Sequence, residues 1–407
     1  MGFYWKLAWR NIFRNKRRTI IASVAIGIGL AALIYSDALI IGMKESLIRS
    51  TTSSFLGEAQ IHREGYRLSR DAELTIRHSS ALLEQLAQDK SVARFAPRTQ
   101  AFGMLTSPAN VNSVMLVGVD PERERHLSQF DDALRQGEWL RGEARDLVIG
   151  SKLAETLEVG LGDRVVMTVA QVKGGDLSQE MFRVSGVYHF GIRELDTGMA
   201  LVPLSKAQQM LGIPDGIHEI AVRFHHLHDA ENPDLGFWDR YSSNGNEAAG
   251  WPELMPEMKN VLELTDFSMY ILALILAGVV VFGIINTLFM SMYERMFEFG
   301  VLRAVGTRAG GIRKLIVLEA LALGLISVGL GALLGLGTTA LMAHLGIDFR
   351  GIEMTGVHIQ ELIYPQLRTM QFIKYPAWVI LFCSLVGLYP ALVAGRMKIA
   401  TAMRKSM

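Results

Sequence analysis

The chain has 407 residues, half of them hydrophobic and a fifth charged, with a formal net charge of +1. Its mean hydropathy of +0.25 excludes a disordered polymer and a purely soluble enzyme, and points to membrane spans joined to a sizeable aqueous domain. The single cysteine, Cys383, excludes an intrachain disulfide framework and a cysteine-based zinc cluster, and the near-neutral charge excludes a global nucleic-acid binder.

In chain order, residues 1–18 place Trp5, Trp9, Ile12 and Phe13 near one helical face, and Lys6, Arg10, Arg14 and Arg17 on the other. Aromatic and basic residues at helical spacing suit an amphipathic helix in the headgroup plane, in contact with membrane lipid. The plainer reading is a basic flank that orients the first span. Residues 19–43 form the first span, read as an uncleaved anchor because it is too long for a signal h-region. Residues 44–266 form a large domain with 23 basic and 33 acidic residues. Its alternating apolar pattern reads as α+β, long enough for two subdomains. Strands are predicted over 93–106, 113–119, 164–169, 182–190 and 199–203. Helices are predicted over 80–89, 151–157 and 205–211, the last capped by Ser205. Residues 234–256, rich in Gly, Ser, Asn and Pro, read as a loop returning to the membrane.

Three further spans follow at 267–292, 315–345 and 375–395, separated by segments 293–314 and 346–374 and followed by the tail 396–407. The fold class is therefore four transmembrane helices plus an α+β domain inserted between spans one and two. The segments flanking the spans on one side sum to 15 basic and 2 acidic residues. The positive-inside rule puts both termini in the cytoplasm and the large domain outside.

Segment 293–314 carries an amphipathic helix, with Met296, Phe297, Gly300, Val301 and Ala304 on one face and Gly306 as a C-cap. Such an element docks in a partner's groove and passes force to a span, or else rests on the lipid surface. Gly27, Gly329, Gly331 and Gly335 permit close helix approach, either at a dimer seam or within one subunit. Glu319, inside the third span, either pairs with Arg313 or a neighbouring chain, or snorkels to the interface. His218, His225, His226 and His228 read as a solvated strand end rather than a metal site. No nucleophile–base motif is present, and no P-loop, so the chain is read as non-catalytic.

Glu294-Arg-Met-Phe-Glu-Phe-Gly-Val-Leu-Arg-Ala-Val-Gly306 resembles the cytoplasmic signature of FtsX-like ABC transporter permeases. Leu7 to Thr19 and Tyr389 to Arg396 with Met403-Arg404 resemble the terminal motifs of the same family. Gln60-Ile-His62 with Gly65-Tyr66 is similar to the first strand of its MacB-like periplasmic domain. The resemblance implies an inner-membrane permease that pairs with a second permease chain and with cytoplasmic ATPase subunits. ATP and Mg belong to the ATPase, and this chain holds no cofactor. It implies a coupling helix containing Glu294, Arg295, Glu298, Gly300, Arg303 and Gly306, with ATP-driven motion transmitted to the periplasmic domain. The layout is most similar to the lipoprotein-releasing LolC/LolE-type permeases. Lipoprotein release is therefore the leading expectation, with a lipoprotein substrate and a periplasmic chaperone or adaptor. MacB-like export of a peptide, lipid or antibiotic, or FtsX-like regulation of a wall hydrolase, are the alternatives.

Overall fold

A computed structural model describes residues 2–349, 353–354, 357–358 and 362–396. The tail residues Lys398, Arg404 and Lys405, and residues 350–352, 355–356 and 359–361, lie outside the described residues. The chain divides into two compact units, one helical and one built on a sheet.

Four helices are long and apolar enough to cross a membrane, and most of their length lies in the helical unit: Lys16–Leu56, Pro256–Glu294, Ala309–Leu345 and Gln371–Arg396. They are called the first to fourth long helices below. Long uninterrupted apolar runs force this outcome, because a helix satisfies every backbone group within its own segment. The first continues well beyond Met43, and the second begins well before Phe267. A separate helix, Gly2–Arg14, precedes them; the chain breaks at Asn15, so Arg17 sits on the first long helix rather than on the N-terminal one. Ala8 and Ile12 are its buried positions, while Trp9 and Phe13 stay exposed.

Small residues set the helix spacing. A Cβ built on Gly331 would lie 2.7 Å from the Gly27 carbonyl oxygen, and one on Gly335 would lie 3.2 Å from Ile34 Cβ. Gly27, Gly331 and Gly335 thus line the crossing of the first and third long helices within one subunit, the close approach that glycine permits. Gly329 meets nothing within 4 Å among the described residues.

The other unit carries a ten-stranded mixed sheet: β1 (Ala59–Arg63), β2 (Val92–Thr106), β3 (Val111–Val119), β4 (Leu134–Gly137), β5 (Asp146–Gly150), β6 (Arg164–Ala170), β7 (Leu177–Tyr188), β8 (Met199–Pro203), β9 (Glu219–Phe224) and β10 (Asn246–Gly250). The order is β10-β1-β9-β2-β3-β8-β5-β7-β4, with β6 joining β2 to β7. Strands β2, β3, β8, β5, β7 and β6 therefore close into a ring. Within the ring each strand has a neighbour on both sides, so among the described residues free edges of this sheet remain only at β10 and β4. Alternation sorts the side chains. Leu105, Leu116, Ile149, Met167, Val184 and Ala200 share one buried cluster, while Val117, Val148 and Leu201 join Phe130, Trp139 and Tyr188 in another.

Three local expectations change. The stretch 234–256 is not a loop: it forms a helix at Gly236–Tyr241, strand β10 and a short helix at Trp251–Leu254. Phe237, Tyr241 and Trp251 are buried, and that packing outweighs the turn-forming composition. The helix at Leu204–Leu211 starts after Pro203, with no side-chain cap from Ser205. His218 does not belong to a solvated strand end; it is fully buried.

Around His218 the sheet unit encloses a polar cluster. The Gln100 N–H donates to His218 Nδ1 at 3.0 Å, and His218 Nε2 lies 2.8 Å from the Ala72 carbonyl oxygen. The Tyr66 ring stacks between His62 and His218, with centroids 5.5 and 5.3 Å away. This arrangement suits a neutral His218 that accepts at Nδ1 and donates at Nε2. Burial pushes the His218 pKa below its ordinary value, and it does the same to His62. The unfolded histidine takes a proton near pH 6.5 and the folded one does not, so acid favours the unfolded state. Stability is fully present above about pH 6.5 and is lost as pH falls below that unfolded value. The Tm of the detergent-solubilised chain should therefore drop between pH 7.5 and 5.5, by less in His218→Gln (pH values set about the unperturbed His pKa). An equal drop in that variant would mean that other groups carry it.

Candidate partner-docking site

The second long helix ends at Glu294. Arg295 leaves the helical region, with φ −107° and ψ 14°, and a short helix runs over Met296–Ala304. Its exit is a turn in which the Gly306 N–H donates to the Arg303 carbonyl at 3.1 Å and the Thr307 N–H to the Leu302 carbonyl at 2.9 Å. Gly306 has φ +104°, a conformation that glycine adopts without strain. The third long helix then begins at Ala309.

The break at Arg295 changes the helical phase. Glu294 thus belongs to the preceding long helix, not to the short one. Of the apolar face expected from sequence, Met296 and Gly300 are buried, together with Phe299. Phe297 and Val301, on the same expected face, are 47% and 38% exposed, with Leu302 at 39% and Val305 at 84%. Phe297, Val301 and Val305 follow at spacings of four, so they form one uncovered apolar stripe.

Behind this stripe lies a charge network. Arg295 Nη1 donates to Glu319 Oε1 at 2.6 Å, and its Nε to Glu298 Oε2 at 3.1 Å. The Arg295 guanidinium also covers the Phe299 ring at 5.1 Å. Asn11 Nδ2 donates to Glu319 Oε1 at 2.6 Å, and Arg14 lies 2.6 Å from Glu298. The hydrogen bond from Arg14 holds the Glu298 carboxyl below the usual carboxylate range. Arg18 reaches Glu294 at 3.3 Å, and Arg303 Nη1 donates to the Gly395 carbonyl at 3.3 Å. Glu319 thus pairs with Arg295 rather than with Arg313, and at 5% exposure it does not snorkel. The sequence separations to Arg295 and Asn11 put these partners beyond any periodicity argument.

The coupling residues expected from sequence therefore fall into two groups. Arg295 and Glu298 meet in one network, while Glu294 pairs with Arg18. Gly300, Arg303 and Gly306 shape the short helix and its exit. Of the residues expected at a membrane surface, Arg14 is committed to Glu298, while Trp5 and Trp9 stack on each other with centroids 6.2 Å apart. Arg10 is exposed. Among the described residues no group of metal-ligating side chains converges.

Comparison with known proteins gives a consistent picture. Residues 19–234 match the family described as the MacB-like periplasmic core domain, and residues 270–399 match the FtsX-like permease C-terminal family. The chain is 22% identical over 411 residues to the lipoprotein-releasing system transmembrane protein LolE of Haemophilus influenzae, covering 96% of this chain and 97% of that one. It is 23% identical over 401 residues to the lipoprotein-releasing system transmembrane protein LolC of Xylella fastidiosa, covering 94% and 92%. The crystal structure of the periplasmic region of MacB from Actinobacillus actinomycetemcomitans covers 53% of this chain and 98% of its own length, at 15% identity and a TM-score of 0.36.

Proposed function

The chain belongs to the MacB-like, FtsX-like family of ABC transporter permeases, and from that premise we propose that it releases lipoproteins from the inner membrane for sorting to the outer membrane. Near-full-length similarity to LolE and LolC carries this reading. In it the chain is a non-catalytic subunit paired with a second permease chain. A cytoplasmic ATPase binds ATP and Mg and hydrolyses the nucleotide.

The uncovered stripe of Phe297, Val301 and Val305 is the face that receives the ATPase. Apolar side chains on a short helix bury well in a groove. The short helix passes the motion on, and the sheet unit performs the work at the periplasmic side. Both termini then lie in the cytoplasm, where the basic N-terminal helix meets anionic lipid. Gly329 and the exposed side of the second long helix remain for the second permease chain.

The test is gentle solubilisation of native membranes, capture of this chain, and mass spectrometry of the bound material. The expected result is a small ATPase together with acylated lipoproteins and a second permease. An ATPase with a periplasmic adaptor and no lipoprotein would replace lipoprotein release by export. No ATPase in any detergent would overturn the reading as a whole.

A further inference from the structure

We propose that Glu319 is the positioning residue through which the short helix Met296–Ala304 drives the third long helix. The proposal rests on the permease reading above and names the joint inside it. Two covalent paths leave the short helix. One passes through Arg295, a single non-helical residue; the other passes through the turn from Val305 to Arg308. Both are places where the backbone bends; beyond them the short helix is held by Phe299, in one buried cluster with Ile312, Leu315 and Ile316, and at its hinge by Arg295. The Arg295–Glu319 pair joins that hinge to the third long helix at 2.6 Å, with side chains 11% and 7% exposed.

Its surroundings sharpen the argument. A charge this deep in an apolar helix is costly. A role limited to stability would be met equally well by apolar residues of similar volume. What an ion pair adds is one defined geometry, here Arg295 Nη1 and Asn11 Nδ2 both on Glu319 Oε1. The second tether, Arg14 to Glu298, brings the N-terminal helix onto the same network. The N-terminal helix, the short helix and the third long helix therefore move as one body, and the third long helix receives the push directly.

The test uses the complete transporter in proteoliposomes loaded with a fluorescent acylated lipoprotein. Glu319→Gln keeps basal ATP hydrolysis, while lipoprotein released per ATP falls about tenfold, the size of a typical coupling free energy. A merely structural loss would lower both together. Wild-type release per ATP by Glu319→Gln overturns the proposal.

A second measurement leaves the pair intact. Spin labels at Leu302 and Leu325, in a Cys383→Ser background, report the distance between the short helix and the third long helix. That distance stays the same with and without ATP if the two move as one body; a change overturns the proposal even if Glu319→Gln fails to insert. Absence of any ATPase in the wild-type complex would instead refute the permease reading. A wild-type complex that hydrolyses ATP and releases no lipoprotein would refute only the substrate, and the label distances still decide the joint.

Discussion

Arg98→Met strongly destabilises the sheet unit. Arg98 is fully buried on β2 between two buried carboxylates: its Nη2 is 2.6 Å from Glu124 Oε1 and its Nη1 is 2.7 Å from Glu219 Oε1. The guanidinium also lies 4.0 Å from the centroid of the Phe55 ring. Burial alone would raise the Glu219 pKa, but Arg98, together with His62 and Arg70, outweighs it and holds the carboxyl below its usual range. Removing the cation leaves two carboxylates without compensation, and breaking a buried pair in this way costs about 3–5 kcal/mol. That is a large share of the roughly 5–15 kcal/mol that stabilises a typical domain. The measurement is protease resistance of residues 59–250 in the membrane-inserted chain. The triple variant Arg98→Met, Glu124→Leu, Glu219→Leu should recover much of it, since no charge then remains to strand. Recovery falls short of wild type because Gln100 Nε2 loses its acceptor, Glu219 Oε2. Full resistance in Arg98→Met alone would mean that water reaches the carboxylates.

How this cluster and the rest of the fold appear in the sequence depends on distance along the chain. The four long helices are legible because an apolar run of about 20 residues has few alternatives to a helix. Strand β3 and the helix Ser151–Leu157 are legible from short-range pattern alone. The ring is not. Its closure depends on β6 pairing with both β2 and β7, and nothing local in Arg164–Ala170 names β2 as its neighbour. The same holds for Arg98, which reads as one more arginine on a strand until Glu219, far along the chain, is placed beside it.

The docking site shows the same division. The existence of a helix near residue 300 follows from its apolar spacing and from Gly306. Which of its apolar positions are covered does not, because the covered side is set by neighbours far along the chain, as with Arg295, whose partners include Glu319. Phe299 is buried, while Phe297 is exposed. Asn11 carries no motif signal, yet it supplies one of two donors to Glu319. Segment 234–256 misleads in the opposite direction: its composition says loop, while its aromatics, Phe237, Tyr241 and Trp251, each find a buried site.

A single aspartate on the uncovered stripe separates the two uses open to the short helix. Val301 lies between Phe297 and Val305, with its own side chain 38% exposed, and its replacement leaves Met296, Phe299 and Gly300 packed as before. Surface substitutions of this kind change stability by only about 0.5 kcal/mol. If the stripe seats in an ATPase groove, Val301→Asp places a carboxylate in a desolvated contact, and losses of about 2–4 kcal/mol are usual at the centre of an interface. Affinity of the ATPase subunit for the solubilised permease then falls about thirtyfold or more. Insertion, and protease resistance of the sheet unit, stay normal. Val111→Asp, at an exposed position on β3, is the matched control and leaves affinity unchanged. If instead the stripe rests on lipid, Val301→Asp leaves ATPase affinity intact and increases hydrogen exchange over 296–304 in liposomes. The charge sits on the same atoms in both cases, so the affinity measurement alone decides which surface the helix was built to meet.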